Sequence, residues 1–238
     1  MRKSLIVALD FPNREEVSTF LANFKGEQLY VKVGMELFYQ EGPEIIRFLQ
    51  DHGHDIFLDL KLHDIPHTVH HAMRGLAKLG VTMTNVHAAG GKEMMRAAME
   101  GLEEGCGSDG RPALIAVTQL TSTSEARMRE ELLVERPLND VVLHYATNAK
   151  ESGLDGVVCS SLEAPLLTQK LGSTFKKVTP GIRMKEDDKA DQSRIVTPKD
   201  AGKLGATEIV VGRSITRAAD PKQAYQKILQ QWQGVETI

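Results

Sequence analysis

The sequence predicts an α/β protein, a single (β/α)8 TIM barrel spanning residues 1–238. Eight short apolar or β-branched runs alternate with stretches of helical periodicity, and this chain length is common for one such barrel. No linker rich in Pro, Gly or Ser divides the chain. The predicted strands are Leu5–Leu9, Leu29–Val33, Ile56–Leu60, Met83–Val86, Ala113–Val117, Gly156–Cys159, Lys176–Val178 and Glu208–Val211.

The runs and the segments between them fit this architecture in chain order. The strand runs are almost continuously apolar, as expected where helices cover one face and a barrel core fills the other. Pro66 can start a helix after the third run, and Asp220-Pro221 is a good N-cap and first-turn pair for the last helix. Apolar stripes at helical spacing follow at Val69, Ala72, Met73, Leu76 and Leu79, at Val141, Val142, Tyr145 and Ala149, and at Ala224, Tyr225, Ile228, Leu229 and Trp232.

A doubly wound open sheet is the alternative fold. That fold normally has a glycine-rich turn after its first strand. Here the first strand ends Ala8-Leu9-Asp10-Phe11-Pro12, without such glycines. The sequence therefore favours the closed barrel.

Composition indicates a cytoplasmic protein without nucleic-acid or membrane partners. Lys and Arg total 29 against 32 Asp and Glu, and aromatic residues make up only 5% of the chain, so neither a basic patch nor a base-stacking platform is indicated. No apolar run approaches the roughly 18 residues of a membrane span, and the chain enters a strand directly after Met1-Arg2-Lys3. Cys106 and Cys159 lie far apart without metal-ligand spacing, which indicates reduced thiols.

The run from Asp59 to Pro66, Asp-Leu-Lys-Leu-His-Asp-Ile-Pro, concentrates charge at the end of the third strand. Residues two apart on a regular strand point the same way, so Asp59 and Lys61 are expected to share a face. Burying charges without good pairing is costly, and such clusters at strand ends usually serve chemistry. The structural alternative is a buried ion pair, with Asp64 helping to cap the next helix.

Neighbouring strand ends add further charges to this rim of the barrel, where active sites of this fold lie. The first strand ends in Asp10 and the second carries Lys32. A lysine flanked by carboxylates keeps its proton and suits a general acid that protonates a strongly basic carbon. A ring of salt bridges would use the same residues.

The far side of the barrel offers a candidate phosphate site. Strand eight leads into Gly212-Arg213-Ser214, where a glycine turn and a guanidinium suit an anion. Strand seven leads into Thr179-Pro180-Gly181-Ile182-Arg183, and the polar stretch 184–194 is either a surface loop or a lid that brings Arg183 and Gln192 over a phosphate. The hydroxyl-rich loop Thr118–Ser124 could bind a polar ring or cap a helix.

The histidines do not indicate a metal site. His63, His67, His70 and His71 cluster in sequence, but His67 and His71 would lie on an exposed helix without an obvious third ligand. His87, at the end of strand four, is interpreted as a packing or supporting residue. No metal is expected.

The pattern Asp59-x-Lys61-x-x-Asp64-Ile65-Pro66-x-Thr68 resembles the signature of the orotidine 5′-phosphate decarboxylases of bacterial type. The resemblance extends in order along nearly the whole chain. It is carried further by Leu9-Asp10, Val31-Lys32-Val33-Gly34, Thr118-Gln119-Leu120-Thr121-Ser122, Thr179-Pro180-Gly181-Ile182-Arg183 and Val211-Gly212-Arg213-Ser214-Ile215.

The resemblance implies decarboxylation of orotidine 5′-monophosphate to UMP, the last step of de novo pyrimidine nucleotide synthesis, with no cofactor and no metal. It implies a homodimer in which Asp64, Ile65 and Thr68 reach the partner's site. It makes Lys61 the proton donor within an array of Lys32, Asp59, Lys61 and Asp64. It also implies substrate contacts by Asp10, Lys32, Thr68, Thr121, Pro180, Arg183, Gln192, Gly212 and Arg213.

Two other functions remain open. Related sugar-phosphate decarboxylases and hexulose-phosphate synthases share the Asp-x-Lys-x-x-Asp pattern but depend on Mg²⁺, held by a glutamate at the end of strand two. This chain has Lys32 there, whose charge repels Mg²⁺, although Glu36 lies nearby. The third possibility is a barrel that binds a nucleotide without catalysis.

Overall fold

The structure is a computed structural model that describes residues 4–108, 110–184 and 196–234. Within these residues, eight parallel strands form a closed barrel in chain order, β1 through β8, with β8 pairing back to β1. The predicted (β/α)8 barrel is confirmed. The strands are β1 Ser4–Ala8, β2 Tyr30–Gly34, β3 Asp55–Leu62, β4 Met83–His87, β5 Ala113–Val117, β6 Gly156–Val158, β7 Lys176–Thr179 and β8 Glu208–Val211.

Helices follow the strands and surround the barrel. Two connections, from β2 to β3 and from β5 to β6, each hold two α-helices, and short 3-10 turns lie at Ala22–Phe24 and Ala88–Gly90. None of the helices in the described ranges is long and apolar enough to cross a membrane. The helices are α1 Arg14–Leu21, α2 Met35–Glu41, α3 Glu44–Asp51, α4 Pro66–Ala77, α5 Gly91–Gly105, α6 Glu125–Leu132, α7 Leu138–Glu151, α8 Ala164–Leu171, α9 Pro198–Leu204, α10 Arg213–Thr216 and α11 Pro221–Gln233.

Strand alternation divides the apolar side chains into two layers. On β1, Leu5 and Val7 pack outward against the helices, whereas Ile6 and Ala8 belong to a smaller cluster inside the barrel. This period of two is the geometry of an extended strand. The inner cluster comprises Ile6, Ala8, Phe57, Met83, Ile115, Val178 and Val210.

Local hydrogen bonds fix where several helices begin. Asp220 caps α11, as predicted, by accepting a 2.9 Å hydrogen bond from the Gln223 amide. Ser124 caps α6 in the same way through the Arg127 amide at 3.2 Å. The hydroxyl-rich loop after β5 therefore does include a helix cap. Pro66 is the first residue of α4, also as predicted.

The third strand departs from regular geometry near its end. Its pairing with β4 shifts register between Leu58 and Leu62, opposite Thr84 and Val86. Lys61 lies in this irregular stretch with φ of 54°, in the left-handed region that non-glycine residues seldom occupy. The strand thus extends past the predicted Leu60, but through a bulge.

Candidate active site

A cavity of about 240 Å³ opens at the carboxyl ends of the strands. Its polar residues come from β2, β3 and the loop after β5, and most of its apolar residues come from the barrel strands. Active sites of this fold lie at this end of the barrel. The lining residues are Lys32, Phe57, Asp59, Lys61, Val117, Gln119, Leu120, Thr121, Ser122, Val158, Val178, Pro180 and Val210.

Asp59 is the centre of a charged array on one wall of the cavity. Its Oδ1 lies 2.7 Å from Lys61 Nζ, and its Oδ2 lies 3.4 Å from Lys32 Nζ. Lys32 Nζ also lies 3.2 Å from Oδ1 of Asp10. The structure therefore brings together four of the charged residues predicted from the ends of three neighbouring strands.

The array holds the Asp59 carboxylate ionised. Burial alone would raise the pKa of this carboxyl, because Asp59 is only 8% exposed. The charges of Lys32 and Lys61, with hydrogen bonds from Lys61 and Asn85, outweigh burial and lower the pKa below its usual value.

Asn85 is an uncharged partner of the charged array, and the sequence analysis missed it. It is fully buried on β4, donates to Asp59 Oδ1 at 2.7 Å and accepts from the Lys61 backbone N–H at 2.8 Å. The available signal was a carboxamide in the middle of an otherwise buried barrel strand. Such a group needs buried polar partners, and a neighbouring strand carried charges.

Two glycines at the strand ends leave room beside the array. A Cβ on Gly34 would come 3.2 Å from Lys32 Nζ, so a side chain there would press on that ammonium. A Cβ on Gly212 would lie 3.6 Å from Asp10 Oδ2, which locates the start of the loop after β8 close to the array.

The other half of the cavity suits a flat ring with a polar edge. Val117, Val158 and Val178 supply apolar surface from β5, β6 and β7. Thr121 supplies a hydroxyl group from the loop after β5, and Pro180 contributes from the end of β7. The predicted residues Thr121 and Pro180 therefore line the same cavity as the array.

Asp64, Ile65 and Thr68 are not among the residues that line this cavity in the described part of the chain. All three are exposed, and Ile65 is 64% exposed, which is unusual for a large apolar side chain. Among the described residues, Asp64 forms no ion pair with Lys32 or Lys61. Its Oδ1 instead accepts the Ile65 N–H at 2.6 Å, and α4 begins without a side-chain cap.

The predicted phosphate residues follow β7 and β8, which are neighbouring strands. Ile182 pairs with Val196, and the Arg183 N–H donates to the Val196 carbonyl at 3.2 Å. Gly212 directly precedes the short helix α10, whose first residue is the half-buried Arg213. Gln192 lies outside the described residues.

The histidines form contacts near this rim. The rings of His63 and His87 lie 5.7 Å apart between centroids, and burial lowers the pKa of His87, with His63 and Lys61 acting in the same direction. His67 and His71 are exposed residues of α4, and their Nε2 atoms lie 3.0 Å apart. Within the described part of the chain, no three His, Cys, Asp or Glu side chains converge as a metal site would require.

Comparison with known proteins yields close matches over the whole chain. Residues 3–228 match the orotidine 5′-phosphate decarboxylase / HUMPS family. A protein of Bacillus cytotoxicus named orotidine 5′-phosphate decarboxylase is 62% identical over 237 residues, which cover 99% of each chain. A protein of the same name from Bacillus cereus is also 62% identical over 237 residues, again 99% of each chain.

Solved structures agree with the sequence matches. The crystal structure of orotidine 5′-phosphate decarboxylase from Lactobacillus acidophilus is 45% identical, with a TM-score of 0.87 and coverage of 97% of this chain and 99% of that one. An uncharacterized conserved protein from Geobacillus kaustophilus is 54% identical at the same TM-score, with coverage of 96% and 99%. The family match and the identity of these relatives over their full length lead to one conclusion. This chain belongs to the orotidine 5′-phosphate decarboxylase / HUMPS family.

Proposed function

We propose that this chain decarboxylates orotidine 5′-monophosphate to UMP and CO2 in de novo pyrimidine synthesis, without a metal or cofactor. The observation that carries the proposal is the contact of the Lys61 ammonium with the ionised Asp59 carboxylate at the wall of the cavity. The names of the relatives that are 62% identical support the same reaction.

The array suits the charge that this reaction creates. When the bond between C6 of the pyrimidine and the carboxyl carbon breaks, CO2 leaves and the electron pair stays on C6. That carbanion has no conjugated sink, so preorganised positive charge must stabilise it where it forms. Lys61 supplies this charge and then transfers a proton from Nζ to C6, completing the C–H bond of UMP. Solvent returns the proton to Lys61.

Asp59 has two roles in this proposal. It pairs with the Lys61 ammonium at 2.7 Å and so holds that group at the wall of the cavity. It also lies where the substrate carboxylate would enter, and repulsion between the two carboxylates disfavours the bound ground state. The Lys32 ammonium offsets the negative charge on the second oxygen of Asp59. Together with Asp10, Lys32 would contact the ribose hydroxyls.

The remaining contacts would hold the two ends of the nucleotide. The apolar wall and Thr121 would bind the pyrimidine, with Pro180 against it. Arg183, Gln192, Gly212 and Arg213 would bind the 5′-phosphate. Arg213 and Arg183 carry the charge, and the loops after β7 and β8 are the usual phosphate position in this fold. Binding energy from the phosphate can then lower the barrier at the distant C6.

We further propose a cytoplasmic homodimer whose partner completes each site. Asp64, Ile65 and Thr68 lie exposed between the end of β3 and the first turn of α4, close in sequence to the array. In the dimer, Asp64 of one subunit would join Lys61 and Lys32 of the other, and Ile65 and Thr68 would contact the partner's bound nucleotide.

The Mg²⁺-dependent reaction of related barrels is the second candidate, although the charges of the array speak against it. Lys32 occupies the end of β2 with its ammonium within 3.4 Å of Asp59, where it would repel a divalent cation. Glu36 lies exposed in the first turn of α2. A barrel that only binds nucleotides is the third candidate.

One assay separates the three candidates. Purified protein in excess EDTA is mixed with orotidine 5′-monophosphate, and the ultraviolet absorbance and the product are followed. We expect rapid absorbance loss with UMP as product, and none with the folded Lys61→Ala variant. Activity on sugar phosphates only after Mg²⁺ is added would support the second candidate. Nucleotide binding without any turnover would support the third.

A further inference from the structure

We propose that Asn85 is a positioning residue, which fixes the backbone of Lys61 and the carboxylate of Asp59 in their working geometry. This inference rests on the proposed function and extends it to a residue that does not line the cavity. Asn85 is fully buried, and its side chain forms one hydrogen bond with each of these two residues.

The orientation of the Asn85 amide follows from its partners. The Asp59 carboxylate can only accept hydrogen bonds, so it requires the NH2 group, whereas the Lys61 backbone N–H can only donate and requires the carbonyl oxygen. One carboxamide satisfies both partners simultaneously. Aspartate lacks the donor, and an apolar residue lacks both groups.

The backbone of Lys61 needs such support. On β3 the Asp55 backbone faces β2 and the Ile56 backbone faces β4, so regular alternation would point the Lys61 N–H towards β2. The register shift between Leu58 and Leu62 breaks this alternation, and the N–H meets Asn85 of β4 instead. Lys61 also lies at φ of 54°, which L-residues keep only where their surroundings hold them. Asn85 Oδ1 accepts a 2.8 Å hydrogen bond from the Lys61 backbone N–H, which the bulge has displaced from the strand ladder.

The hydrogen bond from the Asn85 NH2 group to Asp59 acts on the charge of that carboxylate. Oδ1 of Asp59 accepts hydrogen bonds from both Asn85 Nδ2 and Lys61 Nζ at 2.7 Å. Asn85 thereby holds this oxygen in place for Lys61 and favours its ionised form. Removing the donor therefore changes both the position of the ammonium and the protonation of its partner.

The test compares Asn85→Ala with Thr84→Val. Thr84 is the adjacent buried polar residue on β4, and its hydroxyl donates to the Leu58 carbonyl of β3 at 3.1 Å. The control therefore also deletes a buried hydrogen bond between β3 and β4. For Asn85→Ala we expect kcat for orotidine 5′-monophosphate to fall about 10²- to 10³-fold, as when one preorganised donor is lost, with KM within about 3-fold of wild type. Thr84→Val should keep kcat within about 3-fold.

The pH profile adds a readout that loss of packing would not change. Without the Asn85 donor the pKa of Asp59 rises, so the acid limb of kcat/KM for Asn85→Ala should move to higher pH. Asn85→Asp keeps the side-chain volume and the acceptor for Lys61, and serves if the alanine variant does not fold. Its carboxyl donates to Asp59 only when protonated, so its kcat relative to wild type should be higher at pH 5.5 than at pH 8.

Unchanged kcat and an unchanged acid limb in folded Asn85→Ala would overturn the positioning role. So would a loss of activity that merely follows the folded fraction. If the wild-type protein and Thr84→Val both fail to turn over the nucleotide, the proposed function is wrong. The Asn85 inference is then judged by carbon NMR titration of Asp59 in ligand-free protein, where an equal pKa in wild type and variant refutes it.

Discussion

Lys61 reaches the Asp59 carboxylate at 2.7 Å by way of an irregular backbone, not by simple strand alternation. A regular strand would also place the two side chains on one face, but parallel to each other. The left-handed conformation at Lys61 re-aims its side chain so that the ammonium meets Oδ1 of Asp59. Bulges near active sites commonly redirect a side chain in this way.

The first prediction concerns the proton that we propose Lys61 supplies. Lys61→Ala should lower kcat by about 10⁴-fold or more, because it removes both the charge and the general acid. Lys61→Arg restores a cation but not a transferable proton, since a guanidinium keeps its proton at neutral pH, so we expect it to remain at least about 10³-fold below wild type. Stopped-flow or steady-state absorbance measures both variants.

Nucleotide binding provides the control for these variants. UMP affinity, measured by calorimetry, should remain measurable in Lys61→Ala, because the proposed phosphate contacts lie after other strands. Near-normal turnover by either variant would refute the proton-donor role.

The second prediction tests the shared site. Mixing inactive Lys61→Ala and Asp64→Ala subunits in equal amounts, with exchange, should restore activity. Half of the dimers are hybrids, and each hybrid has one site with neither lesion, so about one quarter of wild-type activity is expected. Activity is measured after exchange has been verified by native mass spectrometry.

A same-site pair provides the control for that mixture. Lys61→Ala mixed with Asp59→Ala should stay inactive, because Asp59 and Lys61 contact each other within one chain and every hybrid site keeps one lesion. Inactive hybrids in the first mixture would refute the contribution of Asp64 across the interface.

The third prediction follows from the lowered pKa of Asp59. A carboxyl whose folded pKa lies below its unfolded value of about 3.9 stabilises the fold above that value, and this stabilisation is lost as pH falls through the folded pKa. Asp59→Asn should therefore lower the free energy of unfolding by about 3 kcal/mol near pH 7. The difference from wild type should shrink below about pH 4.

Urea denaturation at a series of pH values measures this difference. Asp51→Asn, on the exposed end of α3, is the matched control and should change stability by less than about 0.5 kcal/mol at each pH. A difference for Asp59→Asn that stays constant from pH 7 to pH 3 would contradict the assignment.

The sequence predicted the fold well because the barrel is specified by local patterns. Apolar runs located all eight strands within about two residues, and Ala113–Val117 and Glu208–Val211 were predicted with their observed bounds. The carboxyl end of Asp55–Leu62 was predicted two residues too early, because a bulge depends on pairing with β4 and leaves no local signal.

The candidate site could be predicted only in part for the same reason. Charges at strand ends stand out against apolar runs, so Asp59, Lys61 and Lys32 were found. Asn85 was not found, because its contacts depend on the neighbouring strand and on the backbone of Lys61. In the proposed dimer, the position of Asp64 relative to the array would depend on a second chain, which periodicity does not describe.

The fourth prediction concerns an ion pair at the opposite end of the barrel. Arg111 donates to both oxygens of Asp155, at 2.6 Å and 3.1 Å, and the Leu114 N–H donates to the same carboxylate at 2.7 Å. Arg111→Ala should cost about 1 kcal/mol, whereas Asp155→Ala should cost about 2 to 3 kcal/mol, because it also leaves a backbone N–H unpaired. Denaturant unfolding measures both, and an equal or larger loss for Arg111→Ala would contradict this ranking.

The last prediction concerns the close approach of α4 and α5. A Cβ on Gly101 of α5 would lie 2.2 Å from the His70 carbonyl oxygen of α4, whereas a Cβ on Gly75 of α4 meets no atom within 4 Å. Gly101→Ala should force the helices apart and lower the unfolding free energy by about 3 kcal/mol, as overpacking does. Gly75→Ala should raise it by about 0.5 to 1 kcal/mol, because alanine restricts the unfolded chain and favours a helix. Thermal and urea unfolding of the two variants should therefore shift in opposite directions. An unchanged or higher stability of Gly101→Ala would show that the two helices do not meet through the Gly101 surface as described.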